Sequence, residues 1–316
     1  MKKEIKFSLT ILGSSSALPT SKRFPAAHLL NVNERFFLID CGEGTQIQLR
    51  KFKFRFGKIN HIFISHLHGD HIFGLFGLLS SFQLLGRIND LHIYAPGKLR
   101  EIIGFYEKNF AQEQKFKTIV HPLGYKRERM IYNDDWIEVY SFPLNHRIPT
   151  CGYFFREISQ ELNLRKEAID KYKPGLENIL KIKKGENFEL SDGTIIQNSE
   201  LTLPPWMSRS YAYCSDTLYY PSIAEIIKNT DLLYHEATFS DEDKLIAEKT
   251  GHSTAPQAAM IAKLSGSKKL LLGHFSSRYK DLELLGEEAR KIFPESVIVN
   301  DGDEFVVERK RKENQV

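Results

Sequence analysis

Cysteine is scarce in this chain. Its 316 residues hold three, Cys41, Cys151 and Cys214, far apart and odd in number. That argues against a disulfide framework and a thiolate zinc site, and it fits a reducing compartment. Long hydrophobic runs are missing too. No stretch approaches the ~18 apolar residues needed to span a bilayer. The opening Met1-Lys2-Lys3-Glu4 leads into Phe7–Leu12, which is too short and interrupted for a secretory signal. These absences predict a cytoplasmic protein with no membrane partner. Nor does one sign of charge dominate: the net charge is +4, so any surface for nucleic acid has to be local. With 41% hydrophobic and 27% charged residues, the composition allows a sizeable core.

What the chain does have is histidine and aspartate gathered in one place. Ser65-His66-Leu67-His68-Gly69-Asp70-His71 follows the apolar run Ile62-Phe63-Ile64, which reads as a buried strand. His66 and His68 alternate, so both rings point the same way while the chain stays extended. Gly69 permits a sharp turn that brings Asp70 and His71 back toward the same point. Three later residues also follow strand-like runs, where side chains converge at a sheet edge. They are His146 after Ile137–Phe142, Asp216 after Tyr211–Ser215, and His274 after Leu270–Gly273.

These seven residues partition into a two-metal site. His66, His68 and His146 hold one ion, Asp70, His71 and His274 hold the other, and Asp216 bridges them. All donors are nitrogen or oxygen, which suits zinc and leaves manganese and iron open. Two ions about 3.5–4 Å apart lower the pKa of a shared water toward ~7 and neutralise phosphoryl charge. Asp70 can spend one oxygen on metal and the other on that water, so it is the candidate general base.

Around these residues the chain alternates strands and helices in two similar halves, which predicts packed sheets with helices outside. Strands are expected at Phe7–Leu12, Phe36–Ile39, Ile62–Ile64, Leu91–Tyr94, Ile137–Tyr140, Tyr211–Cys214, Leu232–Tyr234, Lys269–Leu272 and Val297–Asn300. Helices are expected at Thr45–Phe52, Phe73–Leu85, Lys98–Phe110, Ile223–Lys228, Ala255–Leu264 and Leu282–Ile292. Ser253 and Thr254 before Pro256 mark a helix start. Residues 156–205 differ in character. Ile158–Tyr172 has the spacing of an amphipathic helix that Pro174-Gly175 breaks. Lys171–Lys184 carries five lysines against Glu177. A lone charge run is ordinarily a solvated face, but its position between ligand candidates favours an inserted arm. The core is then 1–155 with 206–308, and 309–316 is a frayed charged tail.

Together the ligand candidates resemble the metallo-β-lactamase superfamily. Finer motifs resemble the ribonuclease Z family of tRNA 3′-processing endonucleases. They are Leu12-Gly13-Ser14-Ser15-Ser16-Ala17-Leu18-Pro19-Thr20, Ile39-Asp40-Cys41-Gly42-Glu43-Gly44-Thr45, Tyr234-His235-Glu236-Ala237-Thr238-Phe239, Gly251-His252-Ser253-Thr254-Ala255 and Gly273-His274-Phe275-Ser276-Ser277-Arg278-Tyr279. The resemblance implies a four-layer αββα sandwich with an inserted tRNA-binding arm, two zinc ions per subunit, and a homodimer acting on precursor tRNA. It assigns His252 as proton donor to the leaving 3′ oxygen, with Glu236 orienting it; a paired carboxylate favours the acidic imidazolium. Lys181, Lys183 and Lys184 become candidates for gripping phosphates, and Arg278 a candidate phosphate contact. The arm departs from the family pattern: Lys173-Pro174-Gly175 stands where a Gly-Pro pair followed by glycine is usual. His28, His61, His92 and His121 lack partners in a recognisable spacing and are expected to be structural or exposed, and His235 stays unassigned. Two other readings compete. One is another hydrolase of the superfamily, a phosphodiesterase or lactonase for a small molecule. The other is a noncatalytic RNA-binding scaffold, against which the complete ligand set argues.

Overall fold

The computed structural model describes residues 5–312. One compact unit comprises the residues up to Arg156 together with Ser210–Val307; the other is Glu157–Arg209 with the residues from Glu308 on.

Two seven-stranded sheets build the first unit. The first runs in the order Glu304–Val306, Phe7–Gly13, Ala27–Val32, Arg35–Ile39, Ile59–Phe63, Leu91–Ala95, Thr118–Pro122. The second runs Ser296–Ile298, Leu270–Gly273, Leu232–Glu236, Ser210–Cys214, Thr150–Glu157, Ile137–Leu144, Arg129–Asn133. Their inner faces share one apolar cluster, in which Phe37, Phe63 and Tyr94 of the first sheet meet Tyr153, Phe155 and Tyr213 of the second. Such rings carry most of the burial energy, at roughly 1.5–3 kcal/mol for a fully buried large apolar side chain. Helices Thr45–Lys51, Gly69–Leu84 and Leu99–Phe110 cover the outer face of the first sheet through residues such as Leu49, Leu75, Leu79 and Ile103. Helices Ala255–Ser265 and Glu283–Arg290 cover the second through Ala258, Ala259, Ala262, Leu285 and Ala289. The result is the expected αββα sandwich. Among the described residues, no helix is long and apolar enough to cross a membrane.

Topology directs attention to one edge. In each sheet four consecutive neighbours are parallel, from Arg35–Ile39 to Thr118–Pro122 and from Ser210–Cys214 to Ser296–Ile298. Sites in such sheets form beyond the carboxyl ends of the strands, and every candidate ligand follows a strand end.

The second unit has a small core of Ala168, Ile182, Phe188 and Leu201. Its helices are Lys166–Tyr172, Leu176–Lys183 and Asn198–Leu201, with a short hairpin of Phe188–Glu189 and Ile195–Ile196. A buried ion pair joins Arg209 and Glu157 at 2.8 Å. The amphipathic helix expected from Ile158 is helical only from Lys166. The preceding residues bond outward instead: Leu162 N–H donates to Lys183 O, and Arg165 N–H to Leu201 O. The C-terminal residues are likewise not a free tail as far as Lys312. Met207 N–H donates to Lys310 O, Lys312 N–H donates to Pro205 O, and the guanidiniums of Arg309 and Arg311 lie over the Trp206 ring. Residues 313–316 of the expected tail lie outside the described residues. The insertion leaves the core sheet at Arg156 and returns at Ser210, and these two residues are antiparallel partners.

Of the histidines without assigned chemistry, His28 is buried with Nδ1 2.8 Å from the Tyr211 hydroxyl. His61, His92 and His121 form a stacked row across three neighbouring strands. His235 is buried, its Nδ1 bonded to Glu236 O.

Candidate metal centre

The seven side chains converge as two clusters that share Asp216. In the first, His66 Nε2 and His68 Nδ1 lie 3.0 Å apart, and His68 Nδ1 and His146 Nε2 lie 3.4 Å apart. Asp216 Oδ2 stands 3.5 Å from His66 Nε2 and 3.8 Å from His146 Nε2. In the second, Asp70 Oδ2 is 3.4 Å from both His71 Nε2 and His274 Nε2. Asp216 Oδ1 is 3.4 Å from His71 Nε2 and 3.2 Å from His274 Nε2. A tetrahedron with metal–ligand bonds of about 2.0–2.1 Å has edges of about 3.3 Å. The first cluster approaches that size as a set of four donors with Asp216 Oδ2 at one corner; in the second, Asp70, His71 and His274 form a set of three donors, and Asp216 Oδ1 stands within 3.4 Å of its two rings.

Local structure explains the convergence. His66 and His68 alternate out of the strand Ile59–Phe63, and His68 is the N-cap of the helix Gly69–Leu84. That helix starts four residues before the expected Phe73, so Asp70 and His71 sit in its first turn. There the carboxylate of Asp70 also complements the positive end of the helix dipole. The turn expected at Gly69 is therefore absent; the Phe73 ring lies against the glycine, where a Cβ would fall 2.3 Å from it and push it aside. His274 has φ 59° and Ala17, whose N–H donates to Asp70 Oδ2 at 2.8 Å, has φ 41°. A non-glycine residue in this left-handed region costs of order 1–3 kcal/mol, and such strain clusters at functional sites.

A second layer orients the rings. His71 Nδ1 lies 2.7 Å from Asp40 Oδ2, His146 Nδ1 donates to Gly251 O, and His274 Nδ1 lies 2.9 Å from Thr238 Oγ1. His66 Nδ1 lies 3.0 Å from Ser65 Oγ. In each case Nε2 faces the cluster, the usual orientation around a bound metal. Asp40 is the hub of this layer. Fully buried at φ 53°, it also accepts from Ser65 N–H, Ser65 Oγ and Tyr213 OH.

The electrostatics favour a cation. Burial lowers the pKa of His66, His68 and His146, His68 to about 4, so these rings are neutral with lone pairs available. Burial opposes the charge of Asp216, but the rings of His274, His71 and His66 outweigh it and hold the carboxyl well below its ordinary range. Burial alone lowers His71 as well; the carboxylates of Asp70, Asp216 and Asp40 override that and raise it well above its ordinary value. His71 Nε2 and Asp216 Oδ1 are buried without a hydrogen-bond partner. A divalent metal satisfies these atoms and the excess negative charge together. Its removal by a chelator is accordingly expected to lower the thermal midpoint by several degrees. Saturation at one hundred times Kd is worth about 2.7 kcal/mol per site, and each kcal/mol moves a domain of this size by roughly 2–4 °C. Differential scanning calorimetry with and without EDTA reads the shift; an unchanged midpoint refutes metal binding here.

Beside the clusters lies a carboxylate–imidazole pair. His252 Nδ1 is 2.9 Å from Glu236 Oε1. Glu236, fully buried at the end of Leu232–Glu236, also accepts from the N–H groups of Thr217 and Thr238 and from Thr238 Oγ1. Burial works against a charged His252, yet Glu236 raises its pKa to about 9. The ring is protonated at neutral pH. His252 also lies within ligand distance of Asp216 and His274, but its Nδ1 is committed to Glu236. It precedes the helix start, which Thr254 caps with Gln257 in a reciprocal capping box.

Asp70, His68, Asp216, His252 and His274 line an open cavity of about 600 Å³. Arg147 is the one lysine or arginine on that lining among the described residues. Arg278 is not on it; the guanidinium lies over Phe239, which is, and pairs with Asp243 at 3.3 Å. Lys181 and Lys183 belong to the helix Leu176–Lys183 of the inserted unit, with Lys184 at its C-cap. They are exposed or half-buried, and Lys181 pairs with Glu177 and Lys183 with Glu161. Sequence reasoning missed Arg147, Asp40 and Thr238. Arg147 had a signal in its position next to His146; the other two are set by contacts distant in sequence.

Comparison with known proteins agrees with this geometry. The profile of the family described as Anti-Pycsar protein Apyc1 matches residues 7–146. Ribonuclease Z of Bacteroides thetaiotaomicron is 46% identical over 296 residues, covering 94% of each chain. Ribonuclease Z of Porphyromonas gingivalis is 44% identical over 295 residues, covering 93% of this chain and 97% of its own. Among solved structures, the short form of human tRNase Z (ELAC1) aligns with a TM-score of 0.69 at 28% identity, over 94% of this chain and 98% of that one. The metallo-β-lactamase fold protein YhfI from Bacillus subtilis aligns at 0.68 and 19% identity, over 96% and 100%, a likeness of fold alone. Relatives this similar over nearly their full length place the chain in the ribonuclease Z family, nucleases that hydrolyse phosphodiesters on the metallo-β-lactamase fold.

Proposed function

We propose that this chain removes the 3′ trailer from precursor tRNA, as a cytoplasmic homodimer with two zinc ions per subunit. The observation that carries the proposal is the four-donor cluster of His66, His68, His146 and Asp216 next to the three-donor cluster of Asp70, His71 and His274, beside the Glu236–His252 pair, in a chain with ribonuclease Z relatives. His66, His68 and His146 hold one ion, Asp70, His71 and His274 the other, and Asp216 both. When bound, the ions supply Lewis-acid stabilisation of phosphoryl charge and lower the pKa of water.

The chain's own groups do the rest. Asp70 keeps Oδ1 for the attacking water, orients it in line with phosphorus and takes its proton. As the bond from phosphorus to the tRNA 3′ oxygen breaks, His252 delivers its Nε2 proton to that oxygen, because an alkoxide is a poor leaving group. The products are a tRNA with a 3′ hydroxyl and a trailer with a 5′ phosphate. Glu236 keeps the His252 ring oriented and protonated. Arg147, on the cavity wall, neutralises phosphate oxygens.

The test is incubation of the zinc-loaded protein with a 3′-extended precursor tRNA and mapping of the cut. A single cut at the junction of body and trailer is expected. Failure to cut it, with ready hydrolysis of a small phosphodiester or a lactone, overturns the reading.

Lys181, Lys183 and Lys184 act on affinity. The carboxylate pairs of Lys181 and Lys183 are exposed, so each is worth little, and phosphates can replace them. Converting all three to alanine is expected to raise Kd for precursor tRNA about tenfold or more and flatten its salt dependence, since each phosphate contact adds about 0.7–0.9 to the slope of log K against log salt. Hydrolysis of a small phosphodiester stays unchanged. Equal losses in both activities eliminate the gripping role.

A further inference from the structure

A single exposed phenylalanine on a protein surface needs no explanation. Phe73 is different because of where it stands. It is 64% exposed, lines the cavity of the metal centre, and lies one helical turn beyond Asp70, on the same face of the helix. Its ring rests on Gly69, within the ligand segment itself; a Cβ at Gly69 would fall 2.3 Å from Phe73 Cε2 and 2.7 Å from Cζ. A side chain at position 69 would therefore displace the ring. Seated on a glycine, the ring keeps most of its area for another partner. Leu18, 62% exposed, and Pro19 line the same cavity from the loop that Ala17 ties to Asp70. The floor is charged and polar, and part of the rim is apolar.

We propose that Phe73 is a stacking platform for the nucleobase next to the scissile phosphate. This rests on the nuclease reading above: once the phosphate is fixed at the clusters, a base on an adjoining sugar is the flat apolar group that reaches the rim. Every base has a π-face, so the platform binds without reading sequence. It positions the phosphate by holding the adjoining nucleotide, and it touches no reacting atom.

The experiment is a cycle of protein and substrate changes. Four zinc-loaded proteins, wild type, Phe73→Ala, Phe73→Leu and Phe73→Trp, are assayed on intact precursor tRNA. They are assayed again on two substrates that lack the base immediately 5′ or 3′ of the cut. On intact RNA, Phe73→Ala is expected to lower kcat/KM about thirtyfold, the middle of the range for loss of one base–aromatic stack. Phe73→Leu should lose nearly as much, because it keeps apolar bulk without a π-face, and Phe73→Trp should restore the rate. On one of the abasic substrates, wild type should already be slow and Phe73→Ala should cost nothing more. An unaffected Phe73→Ala on intact RNA overturns the proposal, and so does the same loss on both abasic substrates. A wild type that does not cut intact RNA overturns the nuclease reading instead, visible before any variant is compared.

Discussion

Asp70→Ala is expected to reduce turnover of precursor tRNA by about 10⁴-fold or more while the protein remains folded. Two losses combine. The second cluster loses one of its corners, the Oδ2 that stands 3.4 Å from both His71 and His274. The attacking water loses its base, worth typically 10²–10⁴-fold alone. The fold is expected to survive, because this side chain lines the cavity and, among the described residues, bonds to the backbone only at Ala17 N–H. Far-UV circular dichroism should match wild type, and the bound zinc measured by elemental analysis should fall from two ions per chain toward one. Asp70→Asn retains the bulk and the capacity to accept from Ala17, so it separates charge from shape and should be nearly as inactive. A fully active Asp70→Ala protein rules out the mechanism.

His252→Ala should show a loss that depends on the leaving group. With precursor tRNA, kcat is expected to drop about 10²–10⁴-fold, the usual contribution of a positioned acid, with KM little changed. With a nitrophenyl phosphodiester the loss should be far smaller, since nitrophenolate departs without a proton. A role confined to structure or to metal binding depresses both substrates alike. The prediction follows from the placement of the ring: Nδ1 is held by Glu236, leaving Nε2 to the cavity. Steady-state rates on both substrates, with zinc content checked, decide between the two roles.

Legibility in the sequence tracked locality. The run His66–His71 was readable because its residues are neighbours, and a strand before it fixes their direction. His146, Asp216 and His274 were readable because each follows an apolar strand, and parallel strands of a sheet end at a common edge. The groups that orient those rings were not. Asp40 reaches His71 across 31 residues, Thr238 reaches His274 across 36, and Gly251 reaches His146 across 105. Nothing in composition or period signals such pairings. Gly69 misled in another way. Glycine suggests a turn, but here it opens a helix and makes room for a ring. Residues 158–165 have a helical apolar spacing and yet form no helix, because their backbone groups find partners elsewhere in the inserted unit. Tertiary context overrode propensity there.

The insertion begins and ends at Arg156 and Ser210, which already face each other across an antiparallel ladder. A segment whose two ends are joined this way adds little loop-closure entropy to the sheet that carries it, and doubling its length costs only about 0.6 kcal/mol more. Evolution can therefore enlarge, trim or replace the graft without moving a single metal ligand. The catalytic sheet and its accessory segment are free to diverge at different rates, and related nucleases can acquire new substrates by rewriting one hairpin.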